Sequence, residues 1–253
     1  DITNSSVFAA NAATIDLSGD LNNDTVTANS IAITGLVNVE NGSYVAKDGS
    51  LTVDASGNIE GATFTAEKAD VVLTADGNIA SSTVTAATDA TLTAAQIAGT
   101  TVDALNVADL TATAIGGTTV VAGAGVNVTG TIAESSLTAQ TGDIVIDNAV
   151  LGITSVTASA GAGNIVATDN IGWVAGGSFI AAGDVNLTTT YTIYDALIEG
   201  AVVNLTANNA DASATGAMAN LTVTARDAAN LTAVGDITNS SVFAANAATI
   251  DLS

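Results

Sequence analysis

The sequence predicts an all-β protein: a right-handed parallel β-helix, or β-solenoid, of about twelve to thirteen coils of roughly 18–24 residues each. Three observations carry this. First, GNIEGATFTAEKADVVLTAD from Gly57 is followed at once by GNIASSTVTAATDATLTA, which sets Ile59 over Ile79, Phe64 over Val84 and Ala66 over Ala86. A unit this short buries no core alone and must stack on its neighbours. Second, Thr and a large apolar residue alternate with period two, as in Thr63-Phe64-Thr65 and Thr83-Val84-Thr85. That alternation is the mark of a strand with one face inward, and it overrides the helical preference of the many Ala and Leu residues. Third, the motif keeps one direction from unit to unit, which calls for parallel stacking rather than hairpins. Parallel crossovers favour the right-handed coil. The uneven steps do not suit the rigid coil of a left-handed hexapeptide helix.

The units are aligned on one large apolar anchor each: Val7, Val26, Tyr44, Phe64, Val84, Val102, Val120, Leu137, Val156, Phe179, Leu197, Leu221 and Val242. Five residues before the anchor lies a second apolar position, from Ile2, Leu21, Val39 and Ile59 to Leu151, Val174 and Ile237. Two residues after it lies Ala, from Ala9 and Ala28 to Ala158 and Ala181, on the same strand face as the anchor. The residue before the anchor is usually Ser or Thr and points outward. A further strand carries Leu-Thr-Ala at Leu73, Leu92, Leu110, Leu205 and Leu231. Gly19-Asp20, Gly57-Asn58, Gly77-Asn78 and Gly235-Asp236 are turn dipeptides suited to left-handed backbone. The unit loosens between Ile171 and Ala219.

Residues 1–18 read DITNSSVFAANAATIDLS, and residues 236–253 repeat them without a difference. The reading is one continuous solenoid, 1–253, made of a 235-residue block (1–235) and the first coil of the next identical block (236–253). With Asp1 first and Met218 as the one Met, the chain reads as a processed product or a window of something longer.

Composition fits a thin interior of small aliphatic side chains. Hydrophobic residues make up 48% of the 253, aromatics only 3%, and Pro, Cys and His are absent. Twenty-five acids stand against Lys47, Lys68 and Arg226, a net charge of -22. That charge argues against a phosphate backbone or an anionic membrane surface as partner. No apolar run is long enough to span a bilayer as a helix.

The run Gly-Asn-Ile, then a large apolar residue, then Ala, closing on Leu-Thr-Ala, resembles the haemagglutinin-type repeats of filamentous haemagglutinin-like adhesins. The resemblance covers nearly the whole chain. It implies a right-handed β-helical shaft of a large secreted surface protein, hence an extracellular or cell-surface location, and it implies nothing about chemistry.

Chemistry in the sequence is thin. No His serves as general base and the three basic residues lie far apart, so no catalytic residue is assigned and no enzyme is expected. Asp70, Asp109, Asp143 and Asp184 each precede a Val, Leu or Ile at a strand start. They read first as turn residues and second as a calcium-bridged row, since calcium takes clustered oxygens; no other cofactor is expected. Sequons place candidate glycans at Asn4, Asn23, Asn41, Asn127, Asn186, Asn204, Asn220, Asn230 and Asn239, although Asn-Leu-Thr is partly built into the repeat. Trp173, Phe179, Tyr191 and Tyr194 hold half of the eight aromatics. Phe179 belongs to the core. The other three mark either a lateral contact or a local plug.

The function expected is structural: a segment of a large extracellular fibre whose blocks stack end to end, the partner being the chain itself. A second reading is an adhesin stalk presenting its binding site elsewhere. A third is an ice-binding array of outward Ser and Thr, which Asp103, Val121, Ile180 and Ile198 interrupt.

Overall fold

The structure is a computed structural model and describes residues 1–208 and 217–252. It is all-β, with parallel strands stacked as a β-solenoid of about 13 turns, and the described residues contain no helix. The chain divides into two compact units, Asp1–Gly123 and Ala124–Ser253.

In the first unit each coil has three strand positions, and Ala108–Gly116 runs without a break from the third position of one coil into the first of the next. Coil four gives Ile59–Glu60, Thr63–Ala66 and Val71–Ala75. Each strand pairs in parallel with the same strand of the coils before and after. The second apolar positions stack as Ile2, Leu21, Val39, Ile59, Ile79, Ile97 and Ile115. The anchors stack as Val7, Val26, Tyr44, Phe64, Val84, Val102 and Val120. The third strand stacks Ile33, Val53, Leu73, Leu92 and Leu110. From Leu21 onward these side chains are almost wholly buried. Each contributes roughly 1.5–3 kcal/mol by leaving water. Because side chains alternate, Thr63 and Thr83 on the same strands face outward.

The second unit uses the same plan with a different register from the one the sequence spacing suggests. Leu137 stacks on Ala158, Ala158 on Phe179, Phe179 on Ile198, Ile198 on Val223 and Val223 on Val242. The expected anchors Val156, Leu197 and Leu221 are therefore displaced. Val156 and Leu221 lie two residues early and, since the strand period is two, both still face the core and are buried. Leu197 lies one residue early and turns half outward, leaving Ile198 inside and Glu199, not Ile198, in the outward row. Likewise Ile153, not Leu151, stacks between Ile132 and Val174, and Leu151 is 65% exposed. The small Ala158 over Leu137 is filled from its other side by Phe179, large against small. Residues 209–216 of the loosened stretch lie outside the described residues.

Every coil turns at one corner with left-handed backbone, three residues before its anchor. Asn4, Asn23, Asn41, Ser81, Glu134, Ser155, Asp195, Asn220 and Asn239 hold φ between 47 and 58°, and Gly61, Gly99, Gly117 and Gly176 complete the row. Asn and Gly tolerate this region best. Of the four glycines where left-handed backbone was expected, Gly235 has positive φ (117°), while Gly19, Gly57 and Gly77 do not. At Gly57 the reason is close approach, since a Cβ there would run into the Val37 carbonyl and the Asn38 side chain.

The register predicts a sharp contrast between neighbours. Val102 is buried and Thr101 is exposed. Val102→Asp should destabilise by several kcal/mol (about 3 or more), because it buries an unpaired carboxylate. Thr101→Asp should cost under about 1 kcal/mol. Urea melts of the two variants check this, and equal midpoints would refute the inward assignment.

Candidate assembly interface

The first and last coils are the same 18 residues seen from opposite sides. In the first unit the first coil pairs with Leu21–Asn22, Thr25–Ala28 and Ser30–Leu36 through Ile2–Thr3, Ser6–Phe8 and Ala12–Asp16. In the second unit the last coil pairs with Met218–Ala219 and Thr222–Ala233 through Ile237–Thr238, Ser241–Ala244 and Ala247–Leu252. One sequence thus makes both a junction to the coil that follows it and a junction to the coil that precedes it.

The inward residues of these two coils are less covered than their counterparts elsewhere. Val7 and Val242 are half-buried, whereas Val26 and Val84 are closed. Ile250 is 53% and Leu252 57% exposed, and Phe8 and Phe243, the same residue of the repeat, stand outward.

Polar side chains bind coil to coil along the corners. One row runs at the start of the first strand: Asp20 N–H donates to Asp1 Oδ1 (3.0 Å), Asn38 N–H to Asp20 Oδ1 (2.9 Å), Asn58 N–H to Asn38 Oδ1 (2.9 Å) and Asn78 N–H to Asn58 Oδ1 (2.8 Å). A short side-chain oxygen at each layer so replaces a backbone acceptor that the corner lacks. A second row lies inside the left-handed corner. Ser82 Oγ accepts from Ala62 N–H (3.3 Å) and donates to Ala80 O (2.9 Å), and Thr100 and Ser135 donate to Ala98 O and Ala133 O in the same way. Asp24 holds this position in the second coil, where its buried carboxylate accepts from Ser5 and Asn22 N–H at 2.7 and 3.0 Å.

The candidate calcium residues do not form one row. Asp70 accepts from Thr88 Oγ1 and Asp89 N–H, so the residue stacked on it is Asp89, not Asp109. Asp109 lies one residue inside its strand, opposite Thr91. Asp143 and Asp184 share a row but are separated by Asn164, which donates to Asp143 Oδ1 and accepts from Asp184 N–H. Among the described residues no group of three or more acidic side chains is placed to hold a metal ion.

The sequon residues fall on two rows. Asn4, Asn23, Asn41, Asn220 and Asn239 occupy left-handed corners. Asn127, Asn186, Asn204 and Asn230 sit in the third strand, where Asn204 Nδ2 donates to Asn186 Oδ1 (2.7 Å) and Asn230 Nδ2 to Asn204 Oδ1 (2.8 Å). Asn23 and Asn220 donate from Nδ2 to Asn4 and Asp195. Four of the nitrogens to which a glycan would attach are thus donors within the stack.

Of the aromatic cluster, Trp173 and Tyr191 meet, with ring centroids 6.4 Å apart. They are one coil apart in sequence. Phe179 is fully buried, and Tyr194 stands exposed on its own strand.

Electrostatics are mild. Lys47 pairs with Glu67 and Lys68 with Asp48, each reaching one coil along the stack. The hydrogen bond to Asp48 raises the Lys68 ammonium above its ordinary value. Desolvation, then the neighbouring Asp169, raises the Asp147 carboxyl. Burial, then Asp24, holds the Tyr44 phenol well above its usual range, so it stays neutral.

The fold and these rows define a parallel β-solenoid repeat protein. No family model, curated protein or solved structure matches the chain.

Tyr44 offers a direct test of the interior. Its ring stacks on Phe64 at 5.1 Å, and its hydroxyl is, among the described residues, the one buried side-chain polar atom with no hydrogen-bond partner. Removing an unsatisfied buried hydroxyl while keeping the ring should stabilise by about 1 kcal/mol. Tyr44→Phe should therefore melt a few degrees higher, and a lower melting temperature would mean that the hydroxyl has a partner.

Proposed function

We propose that the chain is a non-catalytic structural segment of an extracellular fibre, built by stacking 235-residue solenoid blocks end to end. The observation that carries this is the shared terminal coil. Its sequence docks onto the coil after it at one end and onto the coil before it at the other. A copy of residues 19–235 placed after the last coil would therefore meet the partner that the first coil already has. The resemblance to haemagglutinin-type shafts supports the extracellular location, and the acidic surface suits solubility of a long object.

Twelve layers at about 4.8 Å set an axial repeat of about 58 Å. Electron micrographs of a polypeptide carrying the block at least twice should show fibres with that axial spacing. The isolated chain should form end-to-end oligomers that grow with concentration. Compact, non-associating particles from both samples would overturn the proposal.

A further inference from the structure

The second unit carries a hollow on its flank that neither its stacking nor its terminal coil accounts for. Successive loops of three coils build it: Val150 and Leu151 from the first, Asn170 and Trp173 from the second, Thr190 and Tyr191 from the third. Its volume is about 300 Å³. Trp173 and Tyr191 form two walls inclined at 48°, and Tyr191 is exposed.

The hollow is preformed. Gly172 N–H donates to Ala149 O (2.9 Å), Tyr191 N–H to Gly172 O (2.9 Å) and Thr190 N–H to Ile171 O (2.8 Å), so the three loops are tied in one stack. The indole lies so close over Gly152 that a Cβ there would stand 2.6 Å from Nε1. Gly152, at φ +94°, is therefore the seat of the tryptophan. Asn170 is oriented by its Nδ2, which donates to Asn148 Oδ1 at 3.2 Å. Rigid walls lower the entropic cost of binding.

The chemistry of the lining selects its ligand. None of its side chains is charged. Beyond Lys68 the sequence has one basic residue, Arg226, and its guanidinium donates to the carbonyls of Ala181 and Ala182. In a chain of net charge -22, a hollow with no basic side chain in its lining does not suit an anion. A metal cation would call for a carboxylate in the lining, and there is none. A quaternary ammonium would use the ring faces alone and leave the carboxamide, hydroxyl and phenol unmatched. What the walls offer is two amphipathic ring faces beside a carboxamide, a hydroxyl and a phenol. A pyranose matches this, with a face of C–H groups to lie on an aromatic ring and a rim of hydroxyls to exchange hydrogen bonds. The patch is too small for a stable contact between two proteins, which takes about 800 Å² on each side; it fits one or two sugar rings.

We propose that the Trp173–Tyr191 hollow is a binding site for a neutral saccharide. Trp173 is the only tryptophan in the chain, so its fluorescence reports on the site alone. The whole chain is titrated with cellobiose, maltose, lactose and N,N′-diacetylchitobiose, with digalacturonate and choline as charged probes. At least one neutral disaccharide should give a saturable change in emission at millimolar concentration. Tyr191→Ala should weaken that response about tenfold or more while the melting temperature holds. Tyr194→Ala, an exposed tyrosine outside the hollow, should leave it unchanged. Gly152→Ala should unseat the indole and weaken binding with every wall residue still present. The proposal falls if none of the four sugars saturates, if Tyr191→Ala binds as well as the parent, or if a charged probe binds more tightly than the sugars. It falls equally if the emission moves with protein concentration alone, which would mark a contact between copies.

Discussion

The structure depends on one constraint: each coil's strands donate and accept hydrogen bonds in step with the coils beside them. Within the first unit Ile2, Leu21, Val39 and Ile59 fall in one line whatever number of residues separates them. A strand that slipped by one residue would turn its whole inward set to water. Differences in coil length must therefore be absorbed at corners. The left-handed residue three places before every anchor is one corner that never varies in geometry, although Asn, Gly, Ser, Asp and Glu all occupy it. Arg226 shows how a local mismatch is bridged. The register shifts between Gly200 and Val202, and the guanidinium reaches past that coil to the carbonyls of Ala181 and Ala182.

The same constraint explains the chemistry of the surface. Corner backbone groups have no ladder partner, so short polar side chains supply one. Asp20, Asn38 and Asn58 each accept the N–H of the next layer. This uses carboxylates and carboxamides as structural acceptors, and it accounts for why so many Asp and Asn residues sit at strand starts.

Much of this was legible in the sequence. Within the first unit the anchors, their partners five residues earlier and the Ala two residues later stack as the spacing indicates, because all three positions stay apolar and keep the same interval from each other in every coil. Beyond Leu137 the pattern misled where the anchor is small. Ala158 takes the anchor position, and the larger Val156, two residues away on the same face, draws the alignment to itself. At Leu197 and Ile198 two adjacent apolar residues compete, and size alone does not say which is inward. The left-handed corner was not legible, since its residue type varies while its φ does not. The aromatic hollow was half legible. The sequence gathers Trp173, Tyr191 and Tyr194, yet only coil-to-coil register brings the first two together and leaves the third outside.

A coil is an interchangeable layer defined by register. Ile59 stacks directly on Ile79, so residues 59–78 make one complete layer. The decisive measurement is the thermal unfolding of a variant lacking residues 59–78, beside one lacking only residues 59–68. Removing the whole layer joins Asn58 to Ile79 and restores every row. That variant should keep its β circular dichroism and melt cooperatively within a few degrees of the parent, while the half-layer deletion should lose cooperative melting. Equal damage from both deletions would contradict the account.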